Sequence, residues 1–106
     1  MAKRLRVFEL DVEPTVASQA VREAIRGAGW DYAELSDHVE ARESLDRLSC
    51  KQSPVKVGVR IRQDQAARVE VQLDGWVAGW GPIAGRQLPD RLQMLERTIR
   101  ERSGVS

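Results

Sequence analysis

The 106-residue sequence has one cysteine, Cys50, and one histidine, His38. A single cysteine makes no intramolecular disulfide, which excludes a disulfide-stapled secreted scaffold. One histidine with one cysteine cannot complete a structural zinc site. Aromatic residues are scarce: one Phe, one Tyr and three Trp. No run of about 18 apolar residues offers a membrane-spanning helix. The opening stretch MAKRLRVFELDV starts basic but reaches Glu9 and Asp11 after only a few apolar residues, so it does not read as a signal peptide. An excess of charge is missing as well. Seventeen basic residues meet sixteen acidic ones, for a net charge of +1. That balance does not support bulk attraction to nucleic acid or to an anionic membrane. The phosphate-binding signatures G-x-x-x-x-G-K-[ST] and G-x-G-x-x-G are absent. The expectation is a cytoplasmic protein without a cofactor. Fourteen of the basic residues are Arg, a bias expected of a GC-rich bacterial genome.

What is present fits one domain. A chain of this size buries roughly 60–70% of its unfolded surface, so a sheet covered on one face is expected, without a deep enclosed cleft. In KRLRVFELDV, Leu5 and Val7 alternate with Arg4 and Arg6, as in a strand with its apolar pair on one face. The pattern blurs at Phe8 and Leu10, as if both faces were covered there. EPTVASQAVREAIRGAG reads as a helix. Pro14 suits its first position, Val16, Ala20, Val21, Ala24, Ile25 and Ala28 form one stripe, and Gly27 or Gly29 ends it. WDYAEL reads as a short strand and SDHV as a polar turn. HVEARESLDRL reads as a strand with Val39, Ala41 and Leu45 inward, although its charges also permit a helix. SCKQSP is a loop. PVKVGVRIRQ and ARVEVQLD alternate valines with polar residues and read as an antiparallel hairpin with one buried face. In LPDRLQMLERTIRERSG, Leu88, Leu92, Leu95 and Ile99 form a helical stripe, with Pro89 and Asp90 in the first turn. The order strand, helix, strands, helix predicts an α+β two-layer sandwich. Its antiparallel sheet has four or five strands, with two helices on one face.

That order is similar to a reduced helix-grip domain, the architecture of the START/Bet v 1-like (SRPBCC) superfamily. The stretches VEVQLDGWVAGWGPIAG and LPDRLQMLERTIRE resemble small bacterial proteins of that type, in which a valine-rich hairpin leads through an aromatic-glycine-proline motif to a closing helix. The resemblance implies a pocket for an apolar ligand between sheet and C-terminal helix. The chain is shorter than the larger members and lacks the elements that give them cavity volume.

The stretch DGWVAGWGPIAG concentrates Trp76, Trp80, Pro82 and Ile83 among four glycines. One reading makes the tryptophans a binding lip, since aromatic side chains give rigid contact area. The other has them seal the end of the core, with the glycines supplying the positive φ of a chain reversal. Glu40, Glu43, Glu70 and Asp74, mixed with Arg42, Arg60, Arg62 and Arg68, read as cross-strand ion pairs on a solvated face. A basic face of Arg4, Arg6, Lys56, Arg60 and Arg62, with Phe8 or Tyr32 to stack a base, would suit RNA, but the RNA-binding motif is missing and acids interleave. His38 and Cys50 lack the third group of a nucleophilic triad. The sequence therefore points away from an enzyme. It points to a binding module for an apolar small molecule near Trp76, Trp80, Pro82 and Ile83. The alternative is a protein-interaction module that uses the open sheet face or an edge strand, possibly to pair with itself. There the outward Gly58 would permit close backbone approach.

Overall fold

A computed structural model describes residues 2–44, 54–65, 67–78 and 82–104, with 82–85 given by backbone alone. The elements run β1 (Ala2–Leu10), α1 (Pro14–Gly27), β2 (Asp31–Glu34), β3 (Val39–Arg42), β4 (Val55–Gln65), β5 (Arg68–Val77) and α2 (Pro82–Ser103). The five strands form one sheet in the order β1-β5-β4-β3-β2, and every neighbouring pair is antiparallel. Of the longer expected strand through HVEARESLDRL, the described part is β3. Leu45, Cys50 and most of SCKQSP lie outside the described residues.

The β4–β5 hairpin is the spine of the sheet, and its period of two sorts the side chains. Val55, Val57 and Val59 on β4 and Val69, Val71, Leu73 and Val77 on β5 are buried against the helices. Helix α1 contributes Ala17, Ala20, Val21, Ala24 and Ile25, and α2 contributes Leu88, Leu92, Leu95 and Ile99. Val16, expected in the α1 stripe, is exposed instead, and Ala17 takes the inward place. The end of α1 follows the glycine rule closely. Gly29 has φ 77°. Its N–H donates to the Arg26 carbonyl, and Trp30 N–H donates to the Ile25 carbonyl. This is a Schellman cap, closed by contact between apolar residues on its two sides. Trp30, 8% exposed, belongs to the core.

Strand β1 sits the other way round from its sequence pattern. Its register pairs Arg6 with Leu73, Phe8 with Val71 and Leu10 with Val69, which places the even-numbered residues on the helix side. Phe8 and Leu10 are buried, while Leu5 and Val7 are 59% and 48% exposed on the far face. A strand's face is fixed by register, and a shift of one residue exchanges the two sets. Phe8 and Leu10 bury more surface than Leu5 and Val7 would, and Arg6 can be accommodated because Glu96 of α2 meets it at 2.6 Å.

The closing helix is longer than its stripe suggests. It begins at Pro82, where a missing N–H is harmless, and carries Pro89 in its interior rather than in its first turn. Gly75 is no turn residue either. It lies on β5 under α2, where an added Cβ would stand 2.8 Å from Leu88 Cδ1 and 3.0 Å from Leu92 Cδ2. Helix and sheet approach closely because that position has no side chain.

Glu43 departs most from its sequence expectation. It is only 7% exposed and is not part of a solvated ion-pair face. Its Oε1 accepts from Val55 N–H at 3.1 Å and from Gln87 Nε2 at 3.2 Å, and its Oε2 accepts from Arg91 Nε at 3.1 Å. Its own N–H donates to the Val55 carbonyl at 3.0 Å. One carboxylate thus ties the end of β3 to the start of β4 and to α2.

Two outcomes follow for stability, both measurable by urea denaturation. Gly75→Ala should cost about 1–3 kcal/mol, because the two leucines must give way in a packed layer. Glu43→Ala should cost about 2–4 kcal/mol, since it leaves a buried N–H and a half-buried guanidinium without their acceptor. Glu43→Gln should cost less, because an amide oxygen still accepts from Val55.

Candidate functional site on the open sheet face

With both helices on one side, the other side of the sheet is uncovered by any described element. The register writes its surface in rows. One row runs Lys3, Trp76, Lys56, Arg42, Asp31; the next runs Leu5, Asp74, Gly58, Glu40, Ala33. Val7, Gln72 and Arg60 follow, and then Glu9, Glu70 and Arg62. The centre of this surface is a hollow of about 610 Å³. In its middle row Gly58 and Ala33 put no long side chain into the hollow, and Glu40 stands between them. Lys56, Arg42, Arg60, Trp76, His38 and Asp74 rise around it.

The walls differ in how they are held. Lys56 Nζ lies 4.6 Å from the centre of the Trp76 ring, a cation–π contact that keeps the ammonium beside the hollow. His38 packs toward Gly58. Its Nδ1 pairs with Asp37 at 2.6 Å and its Nε2 with Glu40 at 3.3 Å. Its hydrogen bond to Asp37 and then that to Glu40 hold the imidazolium above its ordinary value of 6.5, against desolvation and nearby Arg60. The same hydrogen bond holds Asp37 below its ordinary 3.8.

Arg42, Lys56 and Arg60 form no ion pair among the described residues. Arg42 stands directly opposite Lys56 in the register. Like charges in that relation repel. The corresponding like pair at the other end of the face, Glu9 opposite Glu70, is compensated. Arg68 reaches Glu9 at 3.6 Å, and Arg62 stands opposite Glu70. At the hollow, Asp31 stands opposite Arg42 as Arg62 does opposite Glu70, and no ion pair to Arg42 or Lys56 forms among the described residues.

The residues expected at a ligand mouth separate. Trp76 does not plug the core: it is half-buried on the open face under Lys56. Trp80 lies outside the described residues, and Pro82 and Ile83 begin α2, known here by backbone only. Lys56, Arg60 and Arg62 do occupy the open side, but Arg4 and Arg6 point to the helix side of β1. Phe8 is buried, and Tyr32 bonds through its hydroxyl to Arg26 of α1. Neither is placed to stack a base on the open face. Between β5 and α2, where an apolar ligand was expected, Leu73, Val77, Leu88, Leu92 and Leu95 are buried and Gly75 is in contact with two of the leucines. A smaller hollow of about 280 Å³ lies beside Val16, Gln19 and Arg102, between α1 and the end of α2. Among the described residues, no three His, Cys, Asp or Glu side chains converge as metal ligands.

His38 is the chain's only histidine, so its titration can be followed without ambiguity by NMR. Its midpoint should lie above that of a free histidine, and Asp37→Asn should lower it more than Glu40→Gln. The pair's contribution to folding follows from the signs. The raised imidazolium stabilises the fold fully below about 6.5, and this is lost as pH rises through the folded value. The lowered Asp37 stabilises above about 4, and this is lost as pH falls. Stability attributable to the pair should therefore peak between those limits.

No protein-family model matches the chain, and no curated protein matches it.

Proposed function

We propose that the chain is a non-enzymatic binding module whose working surface is the hollow on the open sheet face. Its ligand is a small planar molecule with an anionic group. The planar part lies over Gly58 beside Trp76, and the anion lies beside Arg42 and Lys56. The observation that supports this most is the directly opposed Arg42 and Lys56, which close no ion pair among the described residues, beside Gly58, which has no side chain. A ligand carboxylate or phosphate there removes a repulsion already present in the free protein, and two cations give it charge-assisted hydrogen bonds. Trp76 supplies an apolar wall, and Asp74 and Glu40 can accept from donors on the ligand's edge. A volume of about 610 Å³ suits a small molecule.

The helix-grip-like order favours a different position, an apolar ligand between β5 and α2. Such a ligand would have to move Leu88 and Leu92 off Gly75. The two positions separate by experiment. Titration of ¹⁵N-labelled protein with 1-naphthoate should move the Gly58 amide and the Trp76 indole signal. The neutral 1-naphthalenemethanol should bind about tenfold more weakly or worse, and Arg42→Gln with Lys56→Gln should remove the difference. Equal binding of both compounds, with shifts centred on Leu88 and Leu92, would move the site to the interlayer. No shift at millimolar naphthoate would end the proposal.

A further inference from the structure

The two edges of the sheet are finished differently. At one edge, β2 has four residues, too few to template a long pairing. At the other, β1 has nine residues, Ala2–Leu10, contains no proline, and pairs with β5 on one side only. It also carries the two most exposed large aliphatics of the sheet, Leu5 and Val7. A long edge that shows unpaired backbone groups and apolar side chains is a pairing template.

The residues of β1 say what would pair with it. Laid antiparallel on a second β1 over its whole length, with Arg6 at the centre, the strand is complementary to itself. Lys3 then faces Glu9 of the second copy, and Leu5 faces Val7, each twice by symmetry. All of these lie on the open face, as the β1–β5 register requires. On the helix side Arg4 faces Phe8 and Ala2 faces Leu10. Shifting the register by two in one direction sets Arg4 against Arg6, and in the other it sets Leu5 against Glu9. The full-length register is thus also the one that, on the open face, matches charge with opposite charge and apolar with apolar. Its one like-charged pair is Arg6 with Arg6 at the axis, and each of these guanidiniums already holds Glu96 at 2.6 Å. Arg100 Nη1 donates to the Glu9 carbonyl at 3.3 Å. A carbonyl oxygen has two lone pairs, so that bond leaves room for a cross-copy N–H.

We infer that β1 is a homodimerisation edge, and that two copies join through it into one continuous ten-stranded antiparallel sheet. The Lys3–Glu9 and Leu5–Val7 pairs set its register. A two-fold axis through Arg6 puts both pairs of helices on one side and both open faces on the other. The two hollows then look the same way, so a surface or partner carrying two ligands could meet both at once.

Sedimentation equilibrium from about 5 to 500 µM tests the inference on the full chain, with circular dichroism to confirm folding. The wild type should approach twice its 11.9 kDa mass. Lys3→Glu alone and Glu9→Lys alone should each weaken dimerisation about tenfold, since each replaces two attractions by two repulsions. The double swap Lys3→Glu with Glu9→Lys should restore it. An equimolar mixture of the two single variants should dimerise better than either alone. A wild type that stays monomeric at 500 µM overturns the inference, and so does a dimer indifferent to the single swaps. Neither result bears on naphthoate binding at Gly58, which tests the hollow separately.

Discussion

Both helices must cover the same face of one sheet, and the rest of the molecule depends on that constraint. The β4–β5 hairpin offers a single apolar side, with Val55, Val57, Val59, Val69, Val71 and Leu73 all buried. Two amphipathic helices suffice to cover it, and the described residues form two. Burial of that layer is the main favourable term in a fold this small. Everything else adjusts to it. Gly75 gives up its side chain so that Leu88 and Leu92 can approach, and Glu43 gives up solvent to bind β4, Gln87 and Arg91 together. Strand β1 turns Phe8 and Leu10 inward at the expense of Leu5 and Val7.

The same constraint leaves a whole sheet face to the solvent. Without a core to build, that face holds its charges in patterns that packing does not require. At one end the charges compensate each other, through Arg62 opposite Glu70 and Arg68 on Glu9 and Asp11. At the centre Arg42 and Lys56 stand opposite each other and close no ion pair among the described residues, and there Gly58 leaves a hollow. At the β1 side the face ends in exposed aliphatics beside an unpaired edge. A small anion is proposed for the central hollow and a second copy of the chain for the edge, and each proposal rests on its own residues.

The strong periodicities were legible. The hairpin, both helices, the Pro14 start and the glycine stop of α1 follow from spacing and turn chemistry, and so does the two-layer architecture. The errors share one cause: local patterns carry no information about which partner an element meets. In β1 the alternation of Leu5 and Val7 with Arg4 and Arg6 is as regular as that of the hairpin. Only the pairing with Val69 and Val71 shows that Phe8 and Leu10 win the inner face. Glu43 looked like one more surface acid because its partners, Gln87 and Arg91, lie over forty residues away. Pro89 looked like a helix start because proline favours first turns, yet α2 had begun seven residues earlier at Pro82. At the site, Gly58 and the cations of β4 were visible as an outward row. Trp76 belongs with them on that row, although a bulky residue between glycines suggested a core plug.

The claim that one face is covered and the other open is tested most directly by solvent relaxation enhancement in NMR, with an inert gadolinium chelate added to the labelled protein. The Gly58 amide and the Trp76 indole N–H should broaden strongly. The methyls of Val71, Leu73 and Leu92 and the indole N–H of Trp30 should stay sharp. Protection of Trp76 together with Gly58, or broadening of Leu73 and Leu92, would contradict the one-sided sheet on which both proposals stand.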